Sequence, residues 1–516
     1  MDIKKLVGQL FVVGFDGTTM TESLKQLIHE YHIGAVILFN RNIGTLEQLK
    51  QLTEDLQKEA KNAGYSEPML ICLDQENGVV RRIDDLLTRF PGGMTLAATG
   101  ETDISTNVYK ASAKELASCG INWNLAPVAD VNNNPENPII GVRSFGDNPQ
   151  KVADLVVASM KGMQAGGVIS CLKHFPGHGD TQVDSHLSLP IIDKSQEELE
   201  KTELVPFKAG IKNHCDTIMI SHIQFNSVDG RPASLSHKMV TGLLREQLGF
   251  DGVVTTDCLE MDAIAKTVGV QEGCYQALLA GCDFLMVSHT LAEQIAAMEY
   301  ISEKIADKEL DVSRVHASID RIRQLKERYV SWEDEPITLT VSEKENHQHL
   351  ADETYQKGLT YVDKRSGNHS SAMSDKVLVL FPNEKGMLRV EDIRHSYDFS
   401  TLFEKLGSDV QVVLYDKQGL TDSGADLSGL LSNVEMVVLC TVNVMKDDWI
   451  VSAAETLPVR TKHIVMRNPY DADLIHNEHI EEIVFTYEPS SFVLEKSVSV
   501  LAHELSVSGQ MPVKLK

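Results

Sequence analysis

Three things are scarce in this 516-residue chain, and each scarcity removes a class of function. Positive charge is the first: 48 Lys and Arg against 74 Asp and Glu leave a formal net charge of −26. Nucleic-acid binding needs a basic face that gathers phosphates, and that face would have to form against the chain's own field. Long apolar runs are the second. Nothing approaches the roughly 20 apolar residues of a membrane-spanning helix. The opening Met1-Asp2-Ile3-Lys4-Lys5-Leu6 has neither the apolar core nor the small-residue cleavage site of a secretory leader. Ordered cysteine is the third. Cys72, Cys119, Cys171, Cys215, Cys258, Cys274, Cys282 and Cys440 are scattered, several of them inside apolar runs. They read as buried thiols of a reducing compartment rather than a disulfide framework. The expectation is a cytoplasmic protein, or a secreted one if a leader has been trimmed, with no nucleic-acid or membrane partner.

What is present describes a soluble globular protein. Hydrophobic residues make up 42% and charged residues 24%, a soluble-domain composition, and the length calls for two domains. Short apolar runs recur at 10–14, 35–39, 69–73, 123–128, 168–172, 217–220, 253–256 and 284–287. Lacking polar alternation, they suit strands buried on both faces, as a parallel sheet requires. Helical patterns lie between many of them, at 46–63, 104–118, 149–165 and 271–280. Eight strand–helix units predict a (β/α)8, TIM-like barrel over residues 1–330. Residues 331–375 read as a linker, acidic around Pro336 and serine-rich near Ser370, with a helix candidate at 351–358. Apolar runs resume at 377–380, 410–414, 434–442, 463–466 and 483–485, which predicts a smaller α/β sandwich domain over 376–516. No glycine-rich phosphate loop follows any of its runs, so no cofactor is assigned to it.

Polar residues cluster directly after the predicted barrel strands: Asn40-Arg41-Asn42, Asp74-Gln75-Glu76-Asn77-Gly78, Lys173-His174, Ser221-His222, Asp257 and Ser288-His289. Six clusters at one end of a barrel are the pattern of an active-site face. The densest begins at Lys173-His174-Phe175-Pro176-Gly177-His178-Gly179-Asp180 and runs on through Asp184 and His186. A solvated surface loop is one reading of it. A metal site using His174, His178, Asp184 and His186 is another, but neither a helical His-x-x-x-His pair nor a Cys-x-x-Cys pair is present; no metal is expected. General acid/base chemistry is the third, because Asp184, two residues from His186, can orient that imidazole and hold its proton. Such chemistry needs a second group. Asp257, at the tip of an apolar run, is the first choice, a helix N-cap being its bland alternative; Asp74 and Asp130 are other possibilities.

These residues resemble glycoside hydrolase family 3, in its β-N-acetylglucosaminidase branch. The likeness rests on Lys173-His174-Phe175-Pro176-Gly177-His178-Gly179 with Asp184-Ser185-His186, on Thr256-Asp257-Cys258-Leu259-Glu260-Met261 and on Asp74-Gln75-Glu76-Asn77-Gly78. Asn124-Leu125-Ala126-Pro127-Val128-Ala129-Asp130-Val131 and Arg143-Ser144-Phe145-Gly146 extend it, and Gly509-Gln510-Met511-Pro512-Val513 carries it weakly into the second domain. The resemblance implies that Asp257 is the nucleophile of a retaining reaction through a covalent glycosyl-enzyme intermediate. It makes His186, paired with Asp184, the acid and then the base. Asp74, Arg82, Arg143, Lys173 and His174 match positions that hold the hydroxyls of N-acetylglucosamine, and His178 shapes the loop. Three positions depart from the family pattern: Asn77 stands where glycine is usual, Val79 where arginine is common, and Cys258 in place of a common aspartate.

The partner implied is a small carbohydrate, a muropeptide or a chitin oligosaccharide, and no cofactor is expected. An imidazole titrating near pH 6.5 can donate and accept in turn. Because it does not repel phosphate as a carboxylate would, phosphorolysis at the same site is an alternative. A β-glucosidase-type member and a non-catalytic sugar-binding barrel are two more. The sequence leaves the oligomeric state open.

Overall fold

Eight short strands, buried along their length except at Asp257, form one parallel sheet in the computed structural model, which describes residues 2–181, 189–365, 374–383, 399–421 and 426–516. They are β1 (Phe11–Val13), β2 (Ala35–Ile37), β3 (Leu70–Leu73), β4 (Trp123–Asn124), β5 (Cys171–Phe175), β6 (Thr217–Ile220), β7 (Val253–Cys258) and β8 (Phe284–Val287). The order is β4-β3-β2-β1-β8-β7-β6-β5, and the bridges Trp123↔Ile169 and Val128↔Lys173 join β4 to β5 and close the ring. All eight predicted runs overlap their strands. The apolar composition follows from position, since barrel strands face packed side chains inside and helices outside.

The helices at Leu46–Asn62, Thr102–Ala117, Pro149–Ala165 and Val270–Ala280 fall within two residues of the predicted ones. Their starts are chemically marked. The Thr45 hydroxyl accepts from the Gln48 N–H, and the Asn148 side chain accepts from Gln150 and Lys151 with Pro149 in the first turn, so donors left unpaired at the helix start are satisfied.

One strand differs from its prediction in a way that matters. β5 spans Cys171–Phe175 rather than 168–172, so Lys173 and His174 lie within the strand and not in the loop after it. The cause is Asp130 and its neighbour. The Ala129 N–H donates to the Lys173 carbonyl at 2.6 Å, and the His174 N–H donates to the Asp130 carboxylate at 3.1 Å. These bonds extend the strand past the end of its apolar run. Asp257 likewise belongs to β7 and does not follow it.

A second sheet holds β9 (Thr360–Asp363), β10 (Ser374–Pro382), β11 (Gly407–Tyr415), β12 (Met436–Thr441), β13 (Arg460–Val465) and β14 (Ile480–Phe485), in the order β9-β14-β13-β12-β10-β11. Within this sheet, among the described residues, only the β9–β14 pairing is antiparallel. The 331–375 stretch, read from its polarity as a linker, carries β9 and a long helix, Val341–Gly358. That helix opens with a Thr340/Glu343 capping box and is tied to the barrel by His347 Nδ1 and Glu115 at 2.8 Å. Its buried contacts are few and partly polar, so apolar periodicity does not announce it.

The two domains share a core. Val79, Val80, Met94 and Val142 of the barrel join Leu378, Leu439, Val465 and Phe485 in one apolar cluster. At the carboxyl end of the second sheet, Asp471 is buried and accepts from the Val444 N–H at 3.1 Å, and burial pushes its carboxyl up to about 8 from 3.8. The folded chain therefore keeps a proton that the unfolded chain has lost between those pH values, so stability falls as pH rises through that window. Asp471→Asn keeps the acceptor and removes the titration. Its melting temperature relative to the parent is expected to be higher at pH 8 than at pH 5, measurable by calorimetry; an equal difference at both pH values would refute the assignment.

Candidate active site

Beyond β3 the chain turns back on itself in a tight hairpin over residues 74–82. Asn77 and Gly78 both adopt left-handed backbone conformations, φ 68° and 60°, and the Glu76 N–H donates to the Val80 carbonyl at 3.0 Å. Asparagine tolerates this region better than most residues, which explains why it can stand where glycine is usual. Gly78 has less latitude, since a Cβ there would lie 2.6 Å from the Gly92 Cα. One leg of the hairpin carries Asp74 and Glu76, and the other carries Arg82.

Lys173 reaches from β5 to this hairpin. Its Nζ lies 2.6 Å from Asp74 Oδ1 and 2.7 Å from Glu76 Oε1. Arg143 grips Glu76 with two parallel bonds of 2.8 Å, from Nε to Oε2 and from Nη2 to Oε1, and Arg82 Nη2 stands 3.4 Å from Asp74 Oδ2. Removing these charges from water is costly, and only mutual pairing offsets it. Burial by itself would raise the Asp74 and Glu76 carboxyls. Lys173 and Arg82 outweigh it for Asp74, and Arg143 and Lys173 for Glu76, so both are held below the ordinary carboxylate range. Burial would lower the Lys173 ammonium, but Asp74 and then Glu76 raise it. Asp74, Glu76 and Lys173 are thus charged at neutral pH, and both carboxylates are fixed in place.

A second cluster lies alongside. Asp130 accepts from the His174 N–H, from the His178 N–H at 2.7 Å, and pairs with His174 Nδ1 at 2.8 Å. Burial opposes ionisation of Asp130, and the His174 contact outweighs it, so its carboxyl is held low. His178 Nδ1 is 2.9 Å from Thr181 Oγ1, and Asn137 Nδ2 donates to the His178 carbonyl at 2.8 Å. Burial, reinforced by His174, lowers the His178 imidazole to about 4. His178 is therefore neutral at neutral pH and bonded into its own loop through Thr181 and Asn137.

Asp257 is partly buried near the end of β7, and its Oδ1 accepts from the Cys258 N–H at 2.7 Å. Cys258 accepts through its sulfur from the Ser288 hydroxyl at 2.9 Å, and its carbonyl lies 2.9 Å from His222 Nε2. Asp184 and His186 lie outside the described residues. The structure brings Asp74, Arg82, Arg143 and Lys173 into one connected cluster and sets His174 against Asp130. One member escaped the sequence reading as a site residue, Glu76, the hub between Lys173 and Arg143; Asp130, weighed there only as a substitute for Asp257, is instead the anchor of both histidines. The signal for Glu76 was present, since it stands two residues from Asp74 in the same rim loop.

A closed parallel barrel with its charged side chains massed at the carboxyl rim is the architecture of a barrel enzyme. Residues 2–325 match the Glycosyl hydrolase family 3 N terminal domain, and the chain belongs to that family. It is 39% identical over 332 residues to beta-hexosaminidase A of Pseudoalteromonas piscicida, a match covering 60% of this chain and 56% of that protein; the chain thus spans little more than half the length of that relative. The structure of a family 3 beta-N-acetylglucosaminidase from Paenibacillus sp. str. FPU-7 superposes with a TM-score of 0.91 at 32% identity, over 100% of this chain and 99% of that one. A fungal multi-domain family 3 beta-N-acetylglucosaminidase superposes with a TM-score of 0.90 at 36% identity, over 99% of this chain and 60% of that one. Among the described residues no helix is long and apolar enough to cross a membrane.

Proposed function

We propose that the chain is a retaining exo-β-N-acetylglucosaminidase that removes terminal N-acetylglucosamine from muropeptides or chitin oligosaccharides. The observation that carries this reading is the shared rim: a carboxylate, Asp257, ends one barrel strand, while a fixed cluster of cations and carboxylates lies at the same end of β3 and β5. The names of the relatives support the choice of sugar.

In this mechanism the Asp257 carboxylate attacks the anomeric carbon as the bond to the leaving oxygen breaks, and His186 gives that oxygen its proton. A glycosyl ester of Asp257 results. His186, held in one tautomer by Asp184, then takes a proton from water as the water attacks the same carbon; Asp257 is released and the β configuration is restored. Asp74 accepts bonds from the sugar hydroxyls, Lys173, Arg82 and Arg143 donate to them, and His174 borders the ring. Fixing the ring against the nucleophile is where positioning contributes most. A cytoplasmic setting favours recycled muropeptide disaccharides as the natural substrate.

The test compares 4-nitrophenol release from the N-acetyl-β-glucosaminide and from the β-glucoside, with and without phosphate. Strong preference for the acetamido sugar, unaffected by phosphate, is expected. Preference for glucose would overturn the sugar assignment, and sugar 1-phosphate as the product would replace hydrolysis with phosphorolysis.

A further inference from the structure

The 74–82 hairpin is held by both domains. Its legs belong to the barrel rim, where the Tyr109 hydroxyl donates to the Glu76 carbonyl at 3.1 Å and Ser112 donates to Asn77 Oδ1 at 3.2 Å. Its apex leaves the barrel. Val79 and Val80 are buried in the cluster built by Leu378, Leu439 and Phe485 of the second domain. Arg81 donates from Nη1 to Glu488 Oε1 at 3.0 Å, and both side chains are 1% exposed. Glu488 follows β14 and takes a second bond, at 2.9 Å, from the hydroxyl of Tyr355. Arg81 has a further partner, Asp84, at 3.0 Å.

We propose that Glu488, acting through Arg81, is a positioning residue for the sugar-binding hairpin, so that the second domain sets the affinity of a site whose chemistry belongs to the barrel. This rests on the reading above, in which Asp74 and Arg82 hold the sugar. Arg81 and Arg82 are chain neighbours serving opposite ends of the same small structure, one bonded to the second domain and the other to Asp74. A buried guanidinium that loses its charged partner moves toward water or draws water in. In this hairpin, movement of the apex is not absorbed locally. Val80 is bonded to the Glu76 N–H, and the Arg82 N–H to the Gln75 side chain at 2.9 Å, so the displacement reaches both legs. β7, which carries Asp257, lies four places from β3 around the barrel, so the nucleophile is spared.

The experiment measures kcat and KM on 4-nitrophenyl N-acetyl-β-glucosaminide, together with inhibition by free N-acetylglucosamine, in the full chain and its Glu488→Gln and Tyr355→Phe variants. Displacements of an ångström can cost up to 10²-fold, so Glu488→Gln is expected to raise KM and the inhibition constant roughly tenfold, with kcat within about twofold. Tyr355→Phe, which spares the ion pair, is expected to raise both by less, about threefold, because Glu488 keeps its hold on Arg81 and the hairpin moves less. A loss of folding alone would lower the active fraction and leave KM unchanged. Unchanged KM and inhibition in folded Glu488→Gln would overturn the proposal, as would a fall in kcat alone. Should that variant fail to fold, unchanged constants in Tyr355→Phe would overturn it instead. Asp74→Asn tests the underlying sugar site separately: if it binds N-acetylglucosamine as the parent does, that assignment fails whatever Glu488 does.

Discussion

Asp257→Ala is expected to abolish turnover, by a factor on the order of 10⁴ or more, as loss of a nucleophile does where no other group takes its place. Folding should survive. Asp257 is only partly buried, and substitutions outside the fully buried core cost little stability. The sharper test is chemical rescue. With the carboxylate gone, azide can enter the space beside the anomeric carbon and displace the activated 4-nitrophenolate, giving the α-glycosyl azide. Recovery of nitrophenol release with that product and that stereochemistry is expected. A β-azide would place the nucleophile on the other face, and full activity of Asp257→Ala without azide would remove it from the mechanism.

Lys173→Met is expected to have the largest effect on stability, about 3–5 kcal/mol, because removing one member of a buried ion pair leaves its partners uncompensated. Here one ammonium serves two carboxylates, Asp74 and Glu76. Sugar affinity should fall as well, by roughly one to two powers of ten for a lost charge-assisted bond. The acid side provides a separate signature. Asp74 and Glu76 are held below the ordinary carboxylate range, so the stability they contribute is fully present above the unfolded value near pH 4 and is lost as pH falls below it. With Lys173 gone that contribution shrinks. The gap between the urea midpoints of parent and variant should therefore be wide at pH 7 and narrower at pH 3.5. A constant gap would mean that Lys173 acts by packing and not by charge.

Much of the architecture was legible from residue order, for a physical reason. A strand buried on both faces must be apolar throughout, and a parallel barrel repeats that run at helix-length intervals, so 35–39, 69–73, 217–220 and 284–287 announce themselves. Helix starts were legible where capping chemistry is local, as at Thr45 and Asn148. The Val341–Gly358 helix was less so, because its helical character comes from contacts with the barrel and from a capping box inside a polar stretch. The site was legible in outline. Asp74, Arg82, Arg143, Lys173, His174 and Asp257 were named from motifs, whereas the hub roles of Glu76 and Asp130 were not.

The sequence by itself determined the barrel and the rim that carries the polar groups, because these rest on composition and short-range spacing that each segment carries alone, while the family was legible as a resemblance of its motifs. Only the tertiary structure decided who pairs with whom. Lys173 meets Asp74 from 99 positions away and Arg143 meets Glu76 from 67, while Glu488 meets Arg81 from 407. A buried charge must find an opposite one, but which one it finds depends on which strands abut and on how the second domain seats against the first. That seating also accounts for Val79, an apolar residue where arginine is common: it is 5% exposed, closed over by the second domain's core.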